Sequence, residues 1–411
     1  MPPRNSAQRF QNASSKEGKK NSIGDKISYV GPILGHGDNL GVSGTAFVYL
    51  IANYSKGWIN LFLPNANPED NSFNIDYGSN VRIESTYDVN SIRSLVSTAY
   101  KLGKVKSKFY IFNYFPTSLG SGRIKNFIWS LVPIYLRFRG MRVMVIFHNS
   151  VSTSDWKSLG YTGTLDKIGA MIFGIVERVL FKTTDSVFLL KMYKDMILKK
   201  LGLNVMVAEF KYLDSTTACL ASDNINRQLI EVERSEMIRT IHIHGNFGPQ
   251  KDIELALAVL AKIAGEGAKF RLLITGSINP HFPGFKDKLD YLLNKYKFII
   301  SEVIIPISES LIFGVFERTD ILILPYRAAG GRSGVMDLGA FFDLDIVVFE
   351  HSEFAEQAGW YKNIHLIKVQ DLESTIISLI ARSSQRKVID IKSKINDGFN
   401  VMENLLKTSM E

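Results

Sequence analysis

Short apolar runs of strand length alternate with amphipathic helical segments along almost the whole chain. The runs are rich in β-branched and aromatic residues and are bounded by turn residues, which is typical of buried strands. Between them, apolar residues recur every three to four positions, which predicts helices with one buried face. This alternation favours parallel sheets, because a helix is the usual connection between parallel strands. The expected strands are 27–32, 58–64, 109–115, 142–148, 185–190, 204–210, 238–244, 270–276, 298–305, 320–325 and 345–349.

The length of the chain indicates that these strands and helices form two domains. A chain of 411 residues is longer than one hydrophobic core usually serves. The strands fall into two sets, at 27–212 and 237–385, and the polar stretch 213–236 between them is the expected linker. We therefore predict the α/β class, with two doubly wound Rossmann-like domains. Residues 1–26 are expected to form a disordered basic tail, and 386–411 a C-terminal helix that packs back on the N-terminal domain.

Charge and cysteine content narrow the class of partner. The formal net charge is +9, which favours anionic partners such as phosphorylated small molecules or anionic lipid. Nucleic acid is not expected, because we find no zinc-finger spacing, RNP-like aromatic motif or basic zipper. The single cysteine, Cys219, excludes an intramolecular disulfide and a cysteine-based metal site. With no secretory signal at the start and no apolar run of bilayer length, we expect a cytoplasmic protein, soluble or peripheral at the inner face of the plasma membrane.

The most informative loop follows the expected strand 320–325. In doubly wound sheets ligands bind beyond the carboxyl ends of the strands, and this loop runs from Tyr326 to Gly334 with three glycines and two arginines. Its backbone N–H groups and the N-terminus of the next helix would point at one spot, which suits an anion. An ordinary turn between strand and helix is the alternative. The residues expected to form the anion site are Gly331, Arg332, Ser333 and Gly334.

Two further strand ends carry candidate ligands. Gly245 ends a strand, and Lys251 stands at the entrance of the next helix, where its ammonium would meet a phosphate. A solvated lysine is the alternative. His148 ends a buried strand in the first half and would donate a hydrogen bond into a cleft or transfer a proton. The alternative is a histidine that serves packing alone.

A glycine-rich segment follows the first strand, and no metal site is expected. Gly35, Gly37 and Gly41 would let backbone approach a ligand closely. Their spacing is not that of the dinucleotide fingerprint, and a purely structural turn fits as well. His242 and His244 share one face of a strand without an evident third ligand. We therefore predict neither a metal nor another cofactor.

The order and spacing of these features resemble those of GT-B-fold glycosyltransferases, particularly the retaining family 4 group. Members typically have a strand that ends in glycine with a lysine six residues on, as at Gly245 and Lys251. They also have a histidine after an N-domain strand, as at His148. An aspartate, a strand and a proline, then a glycine loop, a helix and a strand, match 320–349. The resemblance covers about residues 27–380.

This resemblance implies two domains that face each other across a cleft and move a hexose from a nucleotide-diphosphate donor to an acceptor hydroxyl, with retention of configuration. The partners would be a nucleotide sugar and a glycan or lipid-linked acceptor, in the synthesis of a cell-surface glycan, polysaccharide or glycolipid. Lys251 and Arg332 would stabilise the departing diphosphate without a metal. His148 would hydrogen-bond the donor sugar as the catalytic residue.

Three positions depart from the family pattern. Asn246 stands where the family usually has an arginine. Gly331 and Gly339 stand where it usually has two glutamates, and Asp337 is two residues off, which turns its side chain to another face of the helix. These departures keep two alternatives open. One is a non-catalytic GT-B-like binding or partner protein, and the weaker one is a GT-B-fold sugar-nucleotide epimerase.

The segment 123–142 carries a separate prediction. It combines Trp129, Tyr135 and other large apolar residues with five basic residues. Aromatic residues with basic flanks suit the interface of an anionic membrane. A core helix packed on the sheet is the alternative.

Overall fold

The protein folds around two all-parallel sheets, one in each half of the chain. The structure is a computed structural model, and it describes residues 26–33, 41–55, 57–65, 77–105, 107–114, 123–152, 163–213, 238–279, 282–307, 309–327, 332–350, 352–382 and 391–410. Over these ranges the prediction of an α/β fold with two doubly wound domains is confirmed.

The N-terminal sheet has the strand order β3-β2-β1-β4-β5-β6-β7. Its strands are β1 (Ile27–Val30), β2 (Ile59–Pro64), β3 (Val81–Tyr87), β4 (Phe109–Tyr114), β5 (Arg142–Phe147), β6 (Asp185–Phe188) and β7 (Met206–Val207). The helices described between them are α1 (Gly41–Tyr54), α2 (Ile92–Lys104), α3 (Arg123–Ser130), α4 (Val132–Phe138), α5 (Thr164–Thr183) and α6 (Lys191–Leu201).

The C-terminal sheet has the strand order β10-β9-β8-β11-β12-β13. Its strands are β8 (Arg239–Phe247), β9 (Phe270–Ile278), β10 (Glu302–Ile304), β11 (Ile321–Leu324), β12 (Asp345–Phe349) and β13 (Ile364–Ile367). Its helices are α7 (Ile253–Gly265), α8 (Phe285–Lys295), α9 (Glu309–Glu317), α10 (Gly334–Phe341), α11 (Ser352–Ala358) and α12 (Leu372–Ile380), and α13 (Ile391–Met410) follows them. The strand order reverses between β1 and β4 and between β8 and β11, so each sheet has a switch point where ligands bind.

Helices cover both faces of each sheet. On one face of the N-terminal sheet, α1 packs together with α13, whose Met402, Leu405 and Leu406 join the same apolar cluster. Helices α2 to α6 cover the opposite face. The last helix of the chain therefore contacts the first domain, after the chain has completed the second sheet.

Some sequence-based boundaries differ from the structure. The apolar spacing of residues 123–138 predicts one helix, but the structure has two, separated at Leu131, because Pro133 has no N–H to continue the hydrogen-bond ladder. The edge strand β3 was not predicted. The expected strand 298–305 is reduced to Glu302–Ile304, because the residues after α8 continue as a turn.

The glycine-rich segment of the first domain is only partly described. The sequence pattern predicts a helix from Thr45 and places Gly41 in the preceding loop, but the helix begins four residues earlier and Gly41 is the first residue of α1. Gly35 and Gly37 lie outside the described residues, as do the expected tail as far as residue 25 and the linker from residue 214. None of the helices within the described ranges is both long and apolar enough to cross a bilayer.

Candidate functional site

Lys251 lies near the carboxyl end of β8, folded back over Gly245. The backbone φ of Gly245 is +118°, a conformation that other residues rarely adopt. A Cβ atom on Gly245 would stand 2.5 Å from Nζ of Lys251. Because that atom is absent, the ammonium reaches the carbonyl oxygen of His244 and donates a hydrogen bond of 2.5 Å. The glycine and the lysine of this spacing therefore form one local structure.

The ammonium group of Lys251 is buried, and the part of the chain that the structure describes offers it no carboxylate partner. The residue is 3% exposed, and Nζ lies 4.7 Å from the ring centroid of Tyr326 and 5.3 Å from that of Phe247. Burial lowers the pKa of Lys251 from 10.5 to about 7, because desolvation disfavours the charged form. No acidic side chain of the described ranges forms an ion pair with it. An anionic ligand would supply the missing opposite charge.

Backbone contacts join the loop that carries Lys251 to the loop that follows β11. Lys251 forms an isolated antiparallel bridge with Tyr326. The N–H of Arg327 donates to the carbonyl oxygen of Gln250 at 2.8 Å, and its guanidinium pairs with the carboxylate of Asp252 at 2.8 Å. The loops after two neighbouring strands are therefore held at one edge of the sheet, as expected at a switch point.

The glycine-rich loop ends at Ser333, which caps α10. Oγ of Ser333 accepts a hydrogen bond from the N–H of Met336 at 3.2 Å. The fully buried side chain of Gln357 accepts from the N–H of Ser333 at 2.8 Å and donates to its carbonyl oxygen at 2.9 Å. Gly334 is the first residue of α10, and the first N–H groups of a helix have no acceptor within it. Gly331 lies outside the described residues.

Arg332 forms a buried ion pair with Asp337, which the sequence analysis did not foresee. Their side chains are 2% and 0% exposed. The carboxylate also accepts hydrogen bonds from Nε2 of Gln357, at 2.9 Å, and from the hydroxyl of Tyr361. Sequence reasoning assigned the charge of Arg332 to a ligand phosphate, but in the structure a carboxylate of its own loop and helix neutralises it. Lys251 is therefore the stronger candidate for phosphate binding.

Gly339 faces the core of the C-terminal domain. A Cβ atom there would stand 2.7 Å from Cδ2 of Leu322 and 2.8 Å from Cδ1 of Ile346. Both neighbours are buried residues of β11 and β12. The helix α10 lies so close to these strands that this position has no room for a carboxylate. The glycine thus serves helix–sheet packing.

His148 follows β5 in the N-terminal domain and lies close enough to Arg332 for the two to interact electrostatically. Its Nε2 donates a hydrogen bond to Oδ1 of Asn113 at 2.6 Å. Burial, and then the charge of Arg332, lower the pKa of His148 from 6.5 to about 3. The ring is therefore neutral at physiological pH, and its other nitrogen, Nδ1, is an acceptor. Asn113 was missed, although it is the only amide in the apolar run FYIFNYF.

A buried glutamate holds the loop that follows His148. The carboxylate of Glu177, on α5, accepts hydrogen bonds from the N–H groups of Val151 and Ser152, at 2.7 and 2.9 Å. It also accepts from the hydroxyls of Ser150, at 2.8 Å, and Ser152, at 2.9 Å. Burial raises the pKa of Glu177, and these hydrogen bonds oppose the shift. An acidic residue on the buried face of a helix is the signal that could have revealed this support.

Contacts between the two domains lie beside the candidate site. The carboxylate of Glu356, on α11, accepts hydrogen bonds from the N–H groups of Lys191 and Met192 at the start of α6, at 2.6 and 2.7 Å. A carboxylate at a helix N-terminus satisfies free N–H groups and is favoured by the helix dipole. The rings of Tyr212 and Tyr361 also meet, with centroids 5.1 Å apart.

The described residues contain no group of three histidine, cysteine or acidic side chains arranged to hold a metal ion. His242 and His244 instead both hydrogen-bond the hydroxyl of Thr275, at 2.8 and 2.7 Å. Burial lowers the pKa of His242 to about 3. The two rings are neutral polar groups of the core beneath Lys251.

The protein has two parallel α/β domains. Candidate ligand-binding residues lie at the switch point of the second domain, and a histidine comes from the first. This arrangement is that of the GT-B fold. No model of a known protein family matches the chain, and no curated protein matches it. The likeness to solved structures extends over nearly the whole chain, as three of them show.

Sucrose-phosphate synthase from Thermosynechococcus elongatus has a TM-score of 0.58 and 12% identity, over 94% of this chain and 96% of its own. An α,α-trehalose-phosphate synthase (UDP-forming) from Burkholderia xenovorans, in complex with glucose-6-phosphate, has a TM-score of 0.58 and 9% identity, over 94% and 100%. UDP-GlcNAc 2-epimerase from Neisseria meningitidis, bound to UDP-GlcNAc, has a TM-score of 0.58 and 11% identity, over 93% and 99%. At these identities the likeness establishes the GT-B fold, which glycosyltransferases and an epimerase share.

Proposed function

We propose that this protein is a glycosyltransferase that moves a sugar from a nucleotide-diphosphate donor to a hydroxyl acceptor. The observation that carries the proposal is the ammonium group of Lys251, which is buried at the switch point of the C-terminal sheet with no carboxylate partner among the described residues. A buried lysine without an opposite charge tends to lose its proton, and a bound anion would offset the desolvation of its charged form. The similarity to enzymes whose structures contain UDP-sugars, or whose names describe UDP release, favours a nucleotide diphosphate as that anion.

Lys251 and the N-terminus of α10 would stabilise the leaving diphosphate. Negative charge develops on the diphosphate as the bond to the sugar breaks, and fixed donors aimed at that charge lower the barrier. The ammonium supplies a full charge, and the N–H groups that begin at Gly334 supply the partial charge of a helix N-terminus. Because these groups supply positive charge, we propose that donor binding needs no divalent metal. A chelator should then leave donor affinity unchanged.

His148 would bind the sugar as a neutral hydrogen-bond acceptor. Its Nε2–H group is already bonded to Asn113, so Nδ1 would accept a hydrogen bond from a sugar hydroxyl. The low pKa, about 3, keeps this acceptor unprotonated throughout the usual assay range. Activity should therefore show no acidic limb that is due to His148. Retention of configuration and a hexose donor remain proposals carried by the resemblance to the retaining family 4 group, and the anomer of the product, read by NMR, would test the first.

The test is a panel of nucleotide sugars, scored both for binding by calorimetry and for slow hydrolysis of the donor. The informative variant is Lys251→Met, which keeps an unbranched side chain one atom shorter and removes the charge. Its matched control is Lys262→Met, which removes an exposed cation that pairs with Glu373 on the surface of the same domain. We expect the first variant to lose donor affinity and the second to keep it. Equal affinity in the wild type and Lys251→Met would refute the diphosphate assignment.

The same panel separates two other functions. The epimerase from Neisseria meningitidis has the same TM-score as the two synthases, so conversion of a nucleotide sugar to its epimer without any acceptor would assign that activity instead. Binding without turnover, on every donor and acceptor, would identify a non-catalytic GT-B-like protein. Transfer to a glycan or lipid-linked acceptor would support the proposed glycosyltransferase.

A further inference from the structure

The outward side of helices α2, α3, α4 and α5 is unusually apolar for a protein surface. These four helices, together the helical layer, pack through their inner sides on the same face of the N-terminal sheet. Twelve of the twenty-one large apolar side chains that are exposed in the described chain lie on this layer or in the turn between α3 and α4. Large contiguous apolar patches on a protein surface mark interaction sites.

Helix α5 carries the clearest apolar stripe. Leu165, Ile168, Ile172 and Ile175 follow one another at spacings of three, four and three residues, which places them on one side of the helix. They are 68, 45, 39 and 56% exposed, and Met171 beside them is 63% exposed. A surface helix normally turns polar residues outward. This helix is apolar toward the solvent as well as toward the sheet.

The neighbouring helices extend this surface. Val96 and Tyr100 on α2 are 54 and 59% exposed, and Phe138 at the end of α4 is 79% exposed. Ile124 on α3 is 70% exposed. Trp129, which sequence reasoning placed at a membrane interface, is instead fully buried. The apolar surface is therefore wider than the segment 123–142, and it includes α2 and α5.

The exposed charges that the structure describes on the helical layer are of one sign. Every charged side chain described as exposed on these helices is cationic. Their sequences contain two acidic residues, Glu177, which is fully buried, and Asp166, whose side chain lies outside the described residues. The sequences of α2, α3 and α4 contain no acidic residue. The exposed cations are Arg93, Lys101, Lys104, Arg137, Lys167, Arg178 and Lys182.

We infer that the helical layer docks on the surface of an anionic phospholipid membrane. Apolar side chains that enter the headgroup region, with cations beside them, are the combination that binds helices in the plane of such a surface. A second copy of the chain fits less well, because a two-fold interface through this layer would bring like charges together. The exposed cations of the helical layer therefore favour anionic lipid over neutral lipid.

The position of the layer connects it with the cleft, a step that rests on the proposed function. Helix α5 follows β5 in a parallel sheet, so its first turns, at Leu165, lie toward the carboxyl edge where His148 is found. A membrane held against this layer would bring a lipid-linked hydroxyl acceptor to the N-terminal side of the cleft. The acceptor class that follows is a glycolipid or lipid-linked saccharide.

The experiment is flotation of the full chain with vesicles, without nucleotide sugar. Vesicles of phosphatidylcholine with phosphatidylglycerol are compared with phosphatidylcholine alone at low salt. One variant combines Leu165→Ser, Met171→Ser and Ile175→Ser. Its control combines Tyr291→Ser and Phe298→Ser, which are 61 and 71% exposed in the C-terminal half.

A second variant removes charge alone, by Lys167→Gln, Arg178→Gln and Lys182→Gln. We expect binding to the anionic vesicles only. Loss of three cations should weaken it roughly 100-fold, at about fivefold per cation near the surface. The apolar variant should weaken it by at least about tenfold, and the C-terminal control should leave it unchanged.

Three results would overturn the inference. They are an absence of flotation with anionic vesicles, an equal loss in the C-terminal control, and a dimer in ultracentrifugation that the apolar variant dissociates. Calorimetry with the panel of nucleotide sugars on the same preparations keeps the two proposals apart. Vesicle binding without donor binding would refute the glycosyltransferase alone, and donor binding without vesicle binding would refute the membrane surface alone.

Discussion

Replacing Lys251 with methionine should change how the stability of the protein depends on pH. In the folded protein burial lowers the pKa of this lysine from 10.5 to about 7. Between these two values the unfolded chain binds more protons than the folded one, so the free energy of unfolding rises with pH. The slope is at most about 1.4 kcal/mol per pH unit, which amounts to about 2 to 3 kcal/mol between pH 7.5 and 9.5.

Other groups also titrate over this range, so the difference between two proteins is the quantity to measure. Urea denaturation of the wild type and of Lys251→Met, at four pH values from 7.5 to 9.5, isolates the contribution of Lys251. We expect the advantage of the methionine variant to shrink as pH rises, because folding removes a proton from Lys251 and that removal costs less as the pH approaches 10.5. Lys262→Met, which alters an exposed lysine on α7, should show no such change. A constant difference between wild type and Lys251→Met would refute the buried-ammonium argument.

Donor binding should reverse the shift and take up a proton. A diphosphate beside Lys251 favours its charged form, so affinity should fall as pH rises above about 7, at most tenfold per unit. A nucleotide sugar is the suitable ligand, because its diphosphate diester does not titrate here. Calorimetry at pH 8.5 in buffers of different ionisation enthalpy counts the protons. We expect uptake of close to one proton in the wild type and none in Lys251→Met, and equal uptake in both would contradict the assignment.

Three further predictions concern packing and support of the site. Gly339→Ala should destabilise the protein by about 1–3 kcal/mol, because the new Cβ would stand 2.7 Å from a core methyl group. The matched control is Gly314→Ala in α9, where a Cβ would have nothing within 4 Å, and it should be neutral or stabilising by about 0.5–1 kcal/mol. Denaturant melts compare the free energies of unfolding of the two variants. Glu177→Gln should cost about 2 kcal/mol or more, since an amide cannot accept all four hydrogen bonds, and should weaken sugar binding through the His148 loop; unchanged melts and donor affinity would refute this role. Glu356→Gln should cost about 0.5–2 kcal/mol and loosen the contact of the domains at Lys191, measured as a larger radius of gyration in X-ray scattering.

Buried parallel strands were readable from the sequence because both of their faces are covered. Such strands show continuous apolar runs, and β11 and β12 were located to within one residue. The edge strand β3 escaped prediction for the converse reason. Its residues 81–87 are mostly exposed or half-buried and include Arg82 and Glu84, so no apolar run marks it.

The candidate site was readable only where its geometry is local. Gly245, near the end of β8, and Lys251 are six residues apart in the chain, and the resemblance to the glycosyltransferases indicated their common role from that spacing. The pairing of Arg332 with Asp337 depends on which face of α10 packs against the sheet, which no spacing reveals. The hydrogen bonds of Gln357 with Ser333 join residues that are 24 positions apart in the chain. Contacts of this range are set by the tertiary fold, so the sequence suggested the loop and not the network that holds it.

Helix α11 couples the contact between the domains to the glycine-rich loop. Two consecutive residues on it have different partners: Glu356 caps α6 of the N-terminal domain, and Gln357 holds Ser333 and Asp337 of the C-terminal domain. Separation of the domains at this point breaks the hydrogen bonds of Glu356 and pulls on the helix that also carries Gln357. A change in the spacing of the domains therefore reaches the start of α10 through one short helix. The same helix that resists separation of the domains therefore also holds Ser333, the residue that caps α10.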